Sequence, residues 1–180
     1  MWHRPALILI GVVLIAGLLF FLLATQQRSF TQAVDISEFK PAKNHLAPDF
    51  TLKNLNQESV TLSALRGKPV ILNFWDTPCP ACRQEMAALQ EFYVKNQNRV
   101  HLLAINIGES PLVIGRFLQQ GGYSFPVLLD GDSKVTQSYA LRYTPMAFAI
   151  DANGFIREIQ VGAKTVAILN DLLEKAEKVR

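Results

Sequence analysis

Cys79 and Cys82 are the only cysteines in this chain of 180 residues, and two residues separate them. They follow an apolar segment, residues 70–75, that has the pattern of a buried strand, and they lie at the start of a predicted helix, residues 80–95. A secreted domain held together by disulfides would carry more cysteines along its length. The pair is therefore free for chemistry, and its spacing at a strand–helix junction favours redox exchange.

The local sequence also indicates how the two thiols divide the reaction. With Cys79 as the N-cap, Pro80 occupies the first helical position, where its missing N–H costs nothing. Free N–H groups, those of Ala81 and Cys82, and the positive end of the helix dipole stabilise a Cys79 thiolate, so its pKa should fall below the usual ~8.5. We expect Cys79 to attack a disulfide and Cys82, one turn inside the helix, to resolve the mixed disulfide.

Other uses of two cysteines are less well supported. A disulfide between residues three apart closes too small a loop to stabilise much. A structural zinc site needs about four ligands, and the histidines, His3, His45 and His101, have no ligand-like spacing. Two thiolates could hold copper(I), so a copper carrier stays open as an alternative. No resident metal or cofactor is predicted.

Thr144-Pro145, which precedes the apolar segment 146–150, is a second candidate for the site. Proline is permitted at the start of a strand, so an ordinary loop-to-strand junction would explain it. Alternatively, the peptide bond is cis, Pro145 packs beside the sulfurs, and the Thr144 backbone pairs with an extended substrate peptide.

The elements that must position these residues alternate between strand and helix patterns. Predicted strands cover residues 47–52, 59–62, 70–75, 100–107, 126–130, 146–150 and 156–161, and predicted helices cover 80–95, 111–120, 134–139 and 165–178. The first two strands form a hairpin, as do the last two. This order predicts an α/β fold with a mixed central sheet that helices cover on both faces.

The N-terminal segment predicts a membrane anchor. Residues 6–24 are continuously apolar, and as a helix rising ~1.5 Å per residue they would span about 28 Å, close to the bilayer core. The run exceeds a signal-peptide core and no small-x-small cleavage site follows, which favours an uncleaved anchor over a cleaved signal. Arg4 places the N-terminus in the cytoplasm and the domain outside, although Arg28 opposes this orientation. The predicted organisation is an anchor at 1–25, a flexible tether at 26–45 and a domain at 46–180.

The charge of the chain limits its partners. The net charge is +3, and the charged residues are scattered rather than clustered. This pattern excludes nucleic acid as the expected partner.

These motifs together resemble the TlpA/ResA branch of the thioredoxin-like superfamily, the membrane-tethered bacterial thiol–disulfide oxidoreductases. The resemblance spans about 47–178 and rests on Ala-Pro-Asp-Phe-Thr-Leu at 47–52, Gly-Lys-Pro at 67–69, Leu-Asn-Phe-Trp at 72–75, Cys-Pro-Ala-Cys-Arg-Gln-Glu at 79–85, Phe-Pro-Val at 125–127, Thr-Pro at 144–145 and Asp-Ala-Asn-Gly at 151–154. It implies a thioredoxin-like fold with an N-terminal β-hairpin and an inserted helix–strand, a cis Pro145, and a single-pass protein of the cytoplasmic membrane with its domain on the periplasmic side.

The resemblance also implies the reaction. Members of this branch reduce extracytoplasmic disulfides in partner proteins, often those of apocytochrome c, with electrons from a thiol-relaying membrane protein. The expected function is therefore a protein disulfide reductase, in cytochrome c maturation or in resistance to oxidative or copper stress.

Glu85 is singled out by the same resemblance. It lies three residues after Cys82 on the same helical face. The matching glutamate of ResA-like reductases implies that Glu85 tunes or shuttles the Cys82 proton, and a solvated surface glutamate is the alternative. Thioredoxins proper carry a buried aspartate on the preceding strand, and here that position is Asn73, which cannot take up a proton.

The segment before Cys79 departs from the family pattern. Many relatives have a second tryptophan directly before the first cysteine, whereas this chain has Pro78. Pro78 removes that aromatic surface, so the family's substrate preference does not carry over to this chain. The residues expected to contact the substrate are Trp75, Pro78 and Thr144. Pro80 is shared with strong periplasmic oxidants, but their histidine is missing, which predicts a less oxidising disulfide.

Two other functions fit parts of the sequence. A thiol peroxidase is one, because peroxiredoxins share the segment at 47–52, but they usually place threonine three residues before a lone catalytic cysteine, where this chain has Asp76. A membrane-tethered copper(I) chaperone is the other, although such proteins generally use a wider cysteine spacing plus a histidine.

Overall fold

The computed structural model describes residues 41–178. The predicted anchor at 1–25 and residues 26–40 of the predicted tether lie outside the described residues, so both stay predictions. Between residues 41 and 178, no helix is both long enough and apolar enough to cross a membrane.

A seven-stranded mixed sheet forms the centre of the described domain. Its strands are β1 (Thr51–Asn54), β2 (Ser59–Thr61), β3 (Val70–Trp75), β4 (His101–Ile107), β5 (Val127–Asp130), β6 (Met146–Ile150) and β7 (Ile156–Val161). They are arranged in the order β2-β1-β5-β4-β3-β6-β7. Strands β3, β4 and β5 run parallel, and the β1–β5, β1–β2, β3–β6 and β6–β7 pairs are antiparallel. The thioredoxin-like mixed sheet predicted from the sequence is confirmed.

Within residues 41–178, four α-helices pack on this sheet: α1 (Pro80–Asn96), α2 (Pro111–Gly121), α3 (Lys134–Ser138) and α4 (Val166–Glu177). Each lies within a residue or two of its predicted bounds, which is the ordinary uncertainty of helix ends. Helix α2 is capped at its C-terminus by Gly122, whose left-handed φ of 68° is a conformation that glycine adopts readily. Helix α2 and strand β5 occupy the positions of the predicted inserted helix and strand.

The segment around β1 differs from the prediction. Strand β1 begins at Thr51, four residues later than expected, and a short 3-10 helix, Leu62–Leu65, follows β2. The reason lies in Asp49, whose carboxylate accepts hydrogen bonds from the N–H groups of Phe50 and Ser63. Asp49 therefore holds a turn before the strand, because side chains of this type hydrogen-bond nearby backbone in competition with a ladder.

The folded domain also begins slightly earlier than predicted. The N–H of Asn44 donates to the carbonyl of Ile156, and the N–H of Ile156 donates to the carbonyl of His45. These two residues, which the sequence analysis assigns to the tether, are thus paired with the start of β7.

Strand β3 is the central strand, and all six of its residues are buried. Because side chains alternate along a strand, Ile71, Asn73 and Trp75 share one face. Ile71 and Trp75 belong to the apolar cluster that also contains Cys82 of α1. Leu72 and Phe74 belong to the cluster on the opposite face. The alternation therefore places Asn73 on the α1 side of the sheet, together with Ile71 and Trp75.

The hairpin between β6 and β7 depends on one buried acid. The carboxylate of Asp151 accepts hydrogen bonds from the N–H groups of Asn153 and Phe155 and pairs with Arg157. Replacing Asp151 with Ala leaves these donors without an acceptor, so we expect the free energy of unfolding to fall by about 2–4 kcal/mol. Urea denaturation measures this change. Replacing the exposed Asp171 should cost less than about 0.5 kcal/mol, and an equal effect of the two changes would contradict the assignment.

Candidate active site

Cys79 and Cys82 lie where β3 is followed by α1, and a disulfide joins them. Cys79 is the N-cap of α1 with extended backbone, and Pro80 occupies the first helical position. The N–H of Cys82 donates to Cys79 Sγ over 3.1 Å. Cys79 is partly exposed and Cys82 is fully buried. A partner can therefore reach the Cys79 sulfur, and a backbone donor is in place to stabilise its thiolate.

The backbone of Thr144, the residue before Pro145, lies near the same sulfur. The peptide bond between them is cis, as the family resemblance implies. The carbonyl oxygen of Thr144 lies 3.6 Å from Cys79 Sγ. Pro145 is buried and Thr144 is partly exposed. Pairing of the Thr144 backbone with a substrate peptide stays a prediction.

Acidic side chains hold the loop that leads into Cys79. The carboxylate of Asp76 accepts the N–H of Cys79 at 3.1 Å. Glu109 accepts both the N–H and the hydroxyl of Thr77 and the side-chain amide of Asn106. Burial, and to a lesser degree the Glu109 carboxylate, raises the pKa of Asp76. In the sequence, Asp76 stands out only as a departure from peroxiredoxins, although its position three residues before Cys79 could have indicated that it lies near the cysteines.

Asp76 also bears on metal binding. Its carboxylate and the two sulfurs lie within 4.8 Å of one another, which is the one such ligand group among residues 41–178. Both sulfurs are engaged in the disulfide, so only the reduced pair could hold an ion. That set would offer two soft thiolates and one hard carboxylate, a poor match for copper(I).

A negative Asp76 should oppose formation of the neighbouring thiolate. Replacing Asp76 with Asn removes that charge, and we expect the pKa of the reduced Cys79 thiol to fall by about one unit. The pH dependence of iodoacetamide alkylation measures this pKa. Glu91 is an exposed residue of α1, and its replacement by Gln is the control, with no expected change. An unchanged or raised pKa in the Asp76 variant would contradict this electrostatic role.

Glu85 is buried one turn beyond Cys82, with only 1% of its surface exposed. Its Oε1 accepts a hydrogen bond from the Asn73 side-chain amide at 2.8 Å. Its Oε2 accepts the N–H of Lys164 at 3.0 Å and lies 3.1 Å from the Lys164 Nζ. The alternative of a solvated surface glutamate is therefore wrong. Burial raises the pKa of Glu85, and the Lys164 charge opposes this rise.

Trp75 and Pro78 occupy different environments. Pro78 is exposed next to Cys79, so contact with a substrate stays a prediction for it. Trp75 has no exposed surface and packs against Phe117 with ring centroids 5.4 Å apart. The expectation that Trp75 contacts the substrate is corrected, because the buried face of β3 carries its ring into the core beneath the loop.

An open groove beside the cysteines was not predicted. It is lined by Thr77, Arg83, Val113, Arg116, Phe117 and Gln120. The guanidinium of Arg83 lies 5.7 Å from the centre of the Phe117 ring. The groove thus combines two cationic side chains with an apolar floor. Its residues come from α1, α2 and the loop before Cys79, which no local sequence pattern connects.

Known proteins are similar to this chain in sequence. Residues 44–159 match the AhpC/TSA family. The thiol-disulfide oxidoreductase ResA of Geobacillus thermodenitrificans is 36% identical over 129 residues, covering 71% of this chain and 74% of the relative. ResA of Bacillus subtilis is 31% identical over 159 residues, covering 87% of this chain and 88% of the relative.

A solved structure matches the described fold. It is a Chlorobium tepidum protein described as a thiol:disulfide interchange protein DsbE, with a TM-score of 0.70 and 27% identity. The match covers 76% of this chain and 99% of that structure.

The range matched by the AhpC/TSA family, residues 44–159, includes both cysteines, Glu85 and Pro145, and it ends before Lys164.

Proposed function

We propose that this chain, which belongs to the AhpC/TSA family and is a thiol–disulfide oxidoreductase of the ResA type, reduces disulfide bonds in partner proteins. The observation that carries the proposal is the asymmetry of the cysteine pair. Cys79 is accessible and has a backbone donor on its sulfur, whereas Cys82 is fully buried behind it. Such a pair attacks through one sulfur and closes through the other.

The reaction transfers two electrons to the substrate. The Cys79 thiolate attacks one sulfur of a substrate disulfide, and the other substrate sulfur leaves as a thiolate that takes a proton from water. The Cys82 thiol then loses its proton and attacks Cys79 Sγ, which breaks the mixed disulfide and releases the second substrate thiolate. The product is the Cys79–Cys82 disulfide of the structure, and a thiol donor must reduce it again.

The surroundings of Cys79 support reduction as the direction. A strong oxidant such as DsbA owes its potential to a stabilised reduced form. Here no histidine lies between the cysteines, and the Asp76 carboxylate lies within 4.8 Å of both sulfurs. A negative charge at that distance destabilises the thiolate and so favours the disulfide form of this protein, which makes it a better electron donor.

The compartment and the partners belong to the proposal as well. The apolar segment at residues 6–24 supports a single-pass anchor in the bacterial cytoplasmic membrane. The domain then acts on the extracytoplasmic side, on proteins such as apocytochrome c, and a thiol-relaying membrane protein supplies its electrons. Labelling of a reduced Cys79 in intact cells by a membrane-impermeant maleimide tests this placement, and labelling only after lysis would contradict it.

Insulin reduction tests the function directly. Reduced protein should precipitate the insulin B chain in the presence of dithiothreitol, at a rate above that of dithiothreitol alone. Peroxide consumption at a comparable rate without insulin reduction would instead identify a thiol peroxidase. Tight stoichiometric copper(I) binding without insulin reduction would identify a copper chaperone.

A further inference from the structure

Lys164 is a buried lysine in the loop between β7 and α4, and neither its side chain nor that of Glu85 has exposed surface. Its Nζ and its backbone N–H both lie within 3.1 Å of Glu85 Oε2. The Asn73 amide holds the other carboxylate oxygen at 2.8 Å. Three groups from two elements therefore fix the orientation of a single carboxylate.

A lysine in this position is costly to bury. Lysine is almost never fully buried without a partner, because removing its charge from water is strongly unfavourable. Burial accordingly lowers the pKa of Lys164. Among the described residues, its Nζ has no hydrogen-bond partner beyond the ion pair with Glu85. An apolar side chain of similar length would fill the same space without that cost, so the charge itself is the feature to explain.

The charged groups around the pair show where that charge acts. Glu85 shares its helical face with Cys82, and both are buried. Strand β3 contributes only the neutral Asn73 to this cluster. The charged residues of α4 near its packed face, Asp171, Glu174 and Lys175, lie toward the surface, where Lys175 pairs with Asp171 and Glu158. Lys164 is thus the one cation that influences Glu85 among residues 41–178.

We propose that Lys164 is a positioning residue for the resolving step: it keeps the buried Glu85 carboxylate charged and oriented, so that Glu85 can accept the Cys82 proton at neutral pH. This inference rests on the proposed thiol–disulfide exchange and on the predicted role of Glu85. The proton passes from Cys82 Sγ to Glu85, Cys82 Sγ bonds to Cys79 Sγ, and the substrate sulfur leaves as a thiolate. Glu85 afterwards returns the proton to water. Without Lys164, burial raises the pKa of Glu85 unopposed, and a protonated Glu85 cannot accept.

The reaction of reduced protein with excess 5,5′-dithiobis(2-nitrobenzoate) separates the two steps. Attack by Cys79 releases a first equivalent of thionitrobenzoate, and attack by Cys82 on the mixed disulfide releases a second. In Lys164→Met, we expect the pH midpoint of the second phase to rise by about one unit or more, with the first phase little changed. Lys175→Met, a surface lysine of α4, is the matched control and should leave both phases unchanged.

Further variants separate this role from a structural one. Lys164→Arg keeps the charge and should retain a midpoint near that of the parent. In a Glu85→Gln background, Lys164→Met should produce no additional shift, because the acceptor is already absent. If Lys164→Met fails to fold, Lys164→Gln makes the same test with a polar side chain. An unchanged second-phase midpoint in a folded Lys164 variant, or an added shift in the double variant, overturns the proposal.

This readout does not depend on the physiological substrate. Failure of the parent protein to reduce insulin would overturn the proposed function, whereas the two phases of thionitrobenzoate release would still report on Lys164. A normal insulin reductase whose second phase is insensitive to Lys164 would overturn only the present inference.

Discussion

Replacing Cys79 with Ser is expected to lower insulin reduction at least about a thousand-fold, because a serine hydroxyl does not ionise near neutral pH and cannot replace the attacking thiolate. Cys79 is the only cysteine of the pair with exposed surface, so Cys82 cannot take over the attack. Initial rates of insulin reduction by the parent protein and by the variant measure the loss. Replacing the exposed Glu91 with Gln is the control, and it should leave the rate of insulin reduction unchanged.

Replacing Cys82 with Ser should give a different outcome. Attack by Cys79 still occurs, but nothing resolves the product, so the mixed disulfide with the substrate accumulates. Mass spectrometry under non-reducing conditions would detect this adduct on Cys79. A Cys79→Ser variant that keeps a tenth of the parent rate, or a Cys82→Ser variant that traps no adduct, would contradict the division of roles.

Replacing Glu85 with Gln is expected to slow the resolving step by about 10- to 100-fold at neutral pH, the lower part of the range for general acid–base catalysis. The amide keeps the size of the side chain but cannot accept the Cys82 proton. Because burial raises the pKa of Glu85, the parent rate of this step should rise with pH as the carboxylate ionises. In the variant, the rate of the resolving step should no longer follow ionisation of Glu85. It should depend on pH only through ionisation of the Cys82 thiol itself.

The pH titration of both thiols tests this role. The matched control is Glu91→Gln, which changes an exposed glutamate of the same helix that pairs with Lys95. Unchanged pKa values for both thiols in Glu85→Gln, together with an unchanged rate of resolution, would remove Glu85 from the mechanism.

Much of the fold followed from local patterns. The buried strand β3, the capping position of Cys79 and the closing glycine of α2 each carry a signal within a few residues. The start of β1 could not be predicted, because Asp49 binds the backbone of Ser63, which lies 14 residues further along the chain. Such a contact keeps residues out of a strand even where their alternation of apolar and polar side chains is typical of one.

The residues of the site also differ in whether the sequence alone could identify them. The cysteine pair and the Thr144-Pro145 bond could be identified from motifs. Trp75 is predicted to contact the substrate, although the alternation that places Ile71 inside also places Trp75 inside. Lys164 had no usable signal, because a single lysine after Gly162 in a polar loop has the pattern of an exposed residue. Only the packing of that loop against α1 brings it to Glu85.

The reduction potential of the Cys79–Cys82 pair is the measurement that bears most directly on the proposed function. Equilibration with thiol–disulfide buffers of known potential, followed by alkylation, gives its value. The proposed reductase predicts a potential near that of thioredoxin, about −270 mV, and a value near that of DsbA, about −120 mV, would identify an oxidant and contradict the account.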